Sequence, residues 1–270
     1  MNIFHKVLAA AVLVLLAGTT NTVLAGSQTT AEPQYSATQI VRFAKGIERQ
    51  LAQDGARAVI IARAGRPANE LPKGISFTHT AVAIYSQITL QNGEMAYGYA
   101  IHNLYQSPNN RGRSFLMTDY PVDFFWGAVD LRAGIIIPSV VMQKRIIDLV
   151  STSDHRKLHN TKYSVLANPY NNMYQNCTEF TLDIVNAAVY ETTNQARLKR
   201  NAQQYFSAQK VNESRMKLSM GSMVMKDLTL RDHKRTVRTA TFGSLAAYMQ
   251  QYGLAKQVYI VNSDLTLSQL

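Results

Sequence analysis

The sequence predicts an α+β domain, an antiparallel sheet with a helix beginning at Cys177 packed on it. Three observations carry this prediction. Ile40, Phe43, Ala44, Ile47 and Leu51 recur at helical spacing over Ala37–Gln53. Two strand-like runs, Ser76–Tyr85 and Met95–Tyr105, flank Asn92-Gly93, a strong hairpin signal. Asn176 and Glu179 bracket the start of a further helix, Cys177–Tyr190, at capping-box spacing.

The elements follow in chain order. Lys6, the apolar run Val7–Ala17 and the small residues of Val23-Leu24-Ala25 form the pattern of a signal peptide, so residues 1–25 are expected to be removed near Ala25. The run is too short to span a bilayer, and the mature chain is expected to carry no transmembrane helix. No cysteine follows it, which argues against a lipid anchor. Residues 26–36 read as a flexible lead-in, and 37–270 as one α+β domain with a basic helical C-terminal part. Gly55 closes the first helix. Arg57–Ala62 is an apolar strand, and Gly65-Arg66-Pro67 breaks it. After the hairpin, 107–112 is a polar loop and Tyr120–Trp126 is aromatic. Ala133–Ile137 is a strand, and Ser139 caps a helix running to Val150. Asp154–Gln175 is polar, with a turn at Asn168-Pro169. Arg197–Phe206 and Thr241–Tyr252 read as helices, Gly253 as a C-cap and Gln257–Val261 as a last strand. The methionine-rich stretch from Val211 to Leu230 has no assignable period.

Net charge is +11, with Arg42, Arg63, Arg66, Lys144, Lys199 and Arg235 among dispersed cations. No run has the density and aromatic interleaving of a nucleic-acid surface, so no nucleic-acid partner is expected. In an exported, periplasmic or secreted protein, a diffuse basic surface fits anionic envelope material such as cell-wall peptide or lipid. There is no phosphate-binding glycine loop, dinucleotide fingerprint or Gly-x-Ser-x-Gly elbow, and no cofactor is expected. His155 and His159 are one helical turn apart but enclose Arg156-Lys157-Leu158 without a glutamate, so no metal is expected and the segment reads as surface. Asp119 and Asp123 read as caps or turns before the core aromatics Phe124-Phe125-Trp126.

Cys177 is the only cysteine of the chain. Exported proteins usually carry cysteines in pairs, so a lone thiol is either a small buried residue or a reactive group. A first helical residue meets unpaired N–H groups and the positive end of the helix dipole, both of which favour thiolate. The same N–H groups can hold an oxyanion. Asn176, Thr178, Tyr174 and Gln175 are the candidates around that hole. A cysteine nucleophile needs a base. His79 opens its strand, and the small residues Ala81 and Ala83 on its face leave room for the Cys177 helix. The hairpin register sets 102–106 opposite His79. Asn103 and His102 are candidates to orient the imidazole, with Gln106 a third. His102 and Asn103 point to opposite faces, so only one of them can act, and Asn103 is preferred.

The spacing His79-x-Ala81-x-x-x-Tyr85, followed by Asn176-Cys177-x-Glu179-Phe180, resembles the circularly permuted branch of the NlpC-type, papain-like cysteine hydrolases. In that branch the histidine strand precedes the cysteine helix, as here. This resemblance implies a papain-like antiparallel sheet with the cysteine helix packed on it, and cleavage of amide, ester or thioester bonds through a thioester. Over most of 37–260 the chain is also similar to the bacterial exported family designated domain of unknown function 2145. The segments that carry this are Ala64-Gly65-Arg66-Pro67, Thr78-His79, Asn103-Leu104-Tyr105-Gln106, Asp119–Phe125, Ala167-Asn168-Pro169 and Gln175–Phe180. The expected function is an exported cysteine hydrolase or acyltransferase acting on envelope material through a Cys177–His79 site. The competing expectation is a non-catalytic periplasmic binding or assembly protein on a hydrolase-like fold.

Overall fold

The computed structural model describes residues 33–89, 92–212 and 227–270. The expected signal peptide, most of the lead-in and the middle of the methionine-rich stretch lie outside the described residues. Helix α1 is Ala37–Gln53, and a complete capping box at Ser36 and Gln39 starts it. Gly55, at φ +64°, turns the chain out of it, in a region that other residues enter at a cost. The chain continues through β1 (Ala58–Ala64), β2 (His79–Thr89), β3 (Met95–Gln106) and β4 (Ser114–Asp119). Helix α2 (Pro121–Trp126), β5 (Asp130–Pro138) and α3 (Val140–Ser151) follow, then a short 3-10 helix, Asp154–Leu158. Next come α4 (Cys177–Tyr190), α5 (Gln195–Tyr205), β6 (Gln209–Lys210), β7 (Arg238–Thr239), α6 (Phe242–Gln251), β8 (Ala255–Val261) and β9 (Leu267–Ser268).

The main sheet has seven antiparallel strands in the order β4-β3-β2-β1-β5-β8-β9, and β6 pairs with β7 separately. The fold is thus α+β, with six α-helices among the described residues. The helices cover both faces. On one, Ile60, Val82, Ile84, Leu104 and Ile136 pack with α3, α4 and α6. On the other, Ile61, Ala81, Ala83, Ile101 and Ile135 pack with α1 and α2. Central strand β1 is therefore buried along its whole length, as a sheet covered on both sides requires. Helix α4 is apolar around most of its circumference and buried from Cys177 to Ala188. On β5, a Cβ on Gly134 would lie 2.6 Å from the Phe242 ring, so α6 reaches the sheet only because that position is glycine. Among the described residues no helix is long and apolar enough to cross a membrane.

Three local expectations are corrected. The second strand starts at His79 rather than Ser76 and runs on to Thr89, because β3 pairs with it along the hairpin. Ser114–Asp119, unassigned from its pattern, is an edge strand. Asp119 is not a cap: Tyr120 caps α2 without a side-chain bond, and the Asp119 carboxylate turns inward.

Candidate functional site

Strand alternation decides the geometry around His79. The ladder pairs Arg63 with His79 and Val82 with His102. Arg63, His79, Asn103 and Tyr105 consequently share the face covered by α2. His79 Nε2 donates to Asn103 Oδ1 at 2.9 Å. Asn103 Nδ2 donates to Ile101 O at 2.9 Å and to Asp119 Oδ2 at 3.2 Å. The Tyr105 hydroxyl also donates to Asp119. The His79 ring stacks on Tyr105 at 5.0 Å and lies 5.5 Å from Phe124, while the Arg63 guanidinium sits over the same Phe124 ring at 5.5 Å. His79 is fully buried, and its Nδ1 has no hydrogen-bond partner among the described residues. Burial first, then the Arg63 charge, pushes its pKa down to about 3 from 6.5, against a smaller upward pull from the Asn103 bond. The imidazole is neutral at physiological pH. Burial pushes the Asp119 carboxyl up, partly offset by its Tyr105 bond.

Cys177 lies on the other side. It belongs to the core of the α3–α4–α6 face, with Val82, Phe180 and Ile184. Its Sγ is 3.7 Å from Thr78 O and 3.9 Å from Thr178 Oγ1. The sulfur thus touches the main chain one residue from His79, while the His79 ring leaves that strand on the opposite face. The expectation that Ala81 and Ala83 receive the cysteine helix is therefore corrected. The helix docks on Thr80, Val82 and Ile84, where Thr178 Oγ1 meets Thr80 Oγ1 at 3.1 Å and Thr181 Oγ1 reaches Thr80 O at 3.3 Å. The expected thiolate is corrected as well. Burial is the largest influence on the thiol and pushes its pKa up, outweighing bonds from Thr80 and Thr178 and the Arg63 charge. The magnitudes agree: a helix terminus contributes up to about 2 kcal/mol, whereas taking a charge out of water costs several.

The candidate oxyanion residues Asn176, Gln175 and Thr178 are bonded to other parts of the chain. Asn176 Oδ1 accepts from Glu179 N at 2.9 Å, and its Nδ2 donates to Val165 O and Thr239 Oγ1 at 3.0 and 3.1 Å. Gln175 Nε2 donates to Leu158 O and Asp183 Oδ2, while its Oε1 accepts from Asn160 N. Tyr174 is half-buried. Only half of the expected capping box forms, because the Glu179 carboxylate turns away to Lys199. Lys199 Nζ lies 2.6 Å from Glu179 Oε1 and 2.8 Å from Asp183 Oδ2, all three side chains being buried. Burial, with Asp183 adding to it, lifts Glu179 to about 8 despite the Lys199 cation. Lys199 and Arg63, counted among surface cations from the sequence, are interior groups.

The structure therefore brings His79 and Asn103 together and holds Cys177 and His102 apart from them. His102 leaves β3 on the α4 side, where its ring meets His155 edge-on at 5.3 Å. His155 is buried, which corrects the surface reading of its segment. Among the described residues no group of histidines, cysteines and carboxylates is arranged to hold a metal. Sequence reasoning missed Arg63, Tyr105, Asp119 and the Lys199 triad. The one available signal was a charged Arg63 inside an otherwise apolar strand.

The family model described as an uncharacterized protein conserved in bacteria (DUF2145) matches residues 50–249, and the chain belongs to that family. No curated protein and no solved structure matches it.

Proposed function

We propose that the protein is an exported, non-catalytic binding or assembly protein of the cell envelope. In this reading it keeps the histidine-strand-then-cysteine-helix order of the permuted NlpC-type, papain-like hydrolases without their chemistry. One observation carries the reading: the Cys177 sulfur and the His79 imidazole leave their elements on opposite faces of the sheet, both closed to solvent. A nucleophile needs its base within about 3 Å or one water away. Here His79 donates to Asn103, and the thiol meets a main-chain carbonyl. The export pattern of residues 1–25 and a net charge of +11 support an anionic envelope partner.

A hydrolase or acyltransferase is the second reading. It is favoured by the position of Cys177 as first residue of α4, with its sulfur one residue from His79 along the strand. Thiol alkylation of the folded protein near neutral pH separates the two. The binding reading expects Cys177 to label slowly and to need denaturant. Rapid labelling of the folded chain, abolished in a folded Cys177→Ala variant, would overturn it in favour of the hydrolase.

A further inference from the structure

A small cavity of about 60 Å³ opens between β3, β4, α4 and the short 3-10 helix Asp154–Leu158. His102, Thr118, His155, Arg156 and Phe180 are among its lining residues, and no carboxylate is. The polar side chains come from three separate elements and converge on one space. His102 Nδ1 lies 3.5 Å from Thr118 Oγ1 on the neighbouring strand, and the His102 and His155 rings are 5.3 Å apart. His155 is only 6% exposed. At that volume the cavity has room for more than one water, and imidazole, hydroxyl and guanidinium groups line it together. Arg156 is exposed at the mouth. The nearby acids are engaged elsewhere: Asp154 pairs with Lys157 and Asp148 with Lys144, each at 2.7 Å. Among the described residues no carboxylate pairs with Arg156.

A cation is excluded by charge, since a guanidinium faces both imidazoles. A guanidinium fork, imidazole N–H groups and a hydroxyl, with no acid among them, form a donor set for an oxyanion. Donors arriving from separate directions suit a tetrahedral group better than a planar one. We propose that this cavity binds a phosphoryl group, with Arg156 as its cation and His102, His155 and Thr118 as its hydrogen-bonding partners. The proposal rests on the envelope-binding reading and names the chemical group that such a protein would hold.

The test follows the imidazole resonances of His102 and His155 in the folded full chain during titration with inorganic phosphate. Saturable shifts are expected at millimolar phosphate. Losing one charge-assisted contact should weaken binding about tenfold in Arg156→Ala. Arg200→Ala, which removes an exposed charge on α5, should leave it unchanged. Absence of saturable shifts, equal weakening by both variants, or equal affinity for acetate would overturn the proposal. Flotation with phosphatidylcholine vesicles, with and without phosphatidic acid, separates the sources. Arg156-dependent binding to the phosphatidic acid vesicles assigns a lipid headgroup, and phosphate binding without it assigns a free or polymer phosphate. An intact phosphate site in a protein that rapid alkylation shows to be reactive would sink the non-catalytic reading alone.

Discussion

The two faces of the sheet bury charge in different ways. On the α4 face, Lys199 is held by Glu179 and Asp183 at 2.6 and 2.8 Å, and Gln175 closes the rest of Asp183. On the α2 face, Arg63 is 1% exposed, and among the described residues neither its Nε and Nη1 nor the His79 Nδ1 has a hydrogen-bond partner. Its compensation is the Phe124 ring below it and the nearby Asp119 charge. The α4 face sets its buried cation directly between two carboxyl groups, leaving only Glu179 Oε2 of the triad without a hydrogen-bond partner among the described residues. The α2 face instead buries a guanidinium with no carboxylate in ion-pair contact among the described residues. On the α4 face the first two turns of the cysteine helix are tied to α5 through Glu179, Asp183 and Lys199.

The largest effect should come from breaking the triad. Lys199→Met removes the cation that the buried Glu179 and Asp183 carboxyl groups share and should destabilise the protein by about 3–5 kcal/mol, read from the denaturant midpoint. A loss under 1 kcal/mol, roughly that of an exposed pair, would mean that the α4 face is no better locked than the surface.

The pH dependence of stability should differ between the faces. Glu179 titrates near 8 in the folded protein and 4.5 unfolded. Across that interval the folded state holds the extra proton, so stability falls as pH rises through it. His79 titrates near 3 folded and 6.5 unfolded. There the unfolded state takes up the proton first, so stability falls as pH drops from 6.5 toward 3. The two slopes oppose each other where the intervals overlap, so unfolding midpoints measured against pH should be highest and nearly flat from about 4.5 to 6.5 and fall on either side. Glu179→Gln should flatten the alkaline limb and leave the acid one. An unchanged alkaline limb would show that Glu179 is ionised and the triad fully charged.

The smallest effect sharpens the α2 face. Arg63→Met replaces a buried, half-partnered cation by an apolar chain and should stabilise the fold by about 1–3 kcal/mol. Destabilisation instead would show that the guanidinium holds a partner worth keeping.

Local chemistry made much of this fold legible. Ser36 and Gln39 form the capping box of α1, Asn176 caps α4, and Gly253 at φ +65° ends α6. The hairpin register placed Asn103 within reach of His79. The Lys199 triad was not legible because its members are 16 and 20 positions apart and join two helices. A lysine in an otherwise polar segment reads as solvated until its partners are placed. The cavity at His155 was hidden for a similar reason, since four elements build it.

By itself the sequence determined that His79, Ala81 and Ala83 share one side of β2, and Thr80, Val82 and Ile84 the other. It did not determine which side would receive the cysteine helix. Where one face is wet, alternation of apolar and polar residues orients a strand. In β2 both sides are small or apolar from Thr80 to Ile84 and both are buried, so either layer could have covered either side. Only the packing of α1 and α2 against Ala81 and Ala83 left α4 the Thr80 side, and that choice set the sulfur and the imidazole back to back across the sheet.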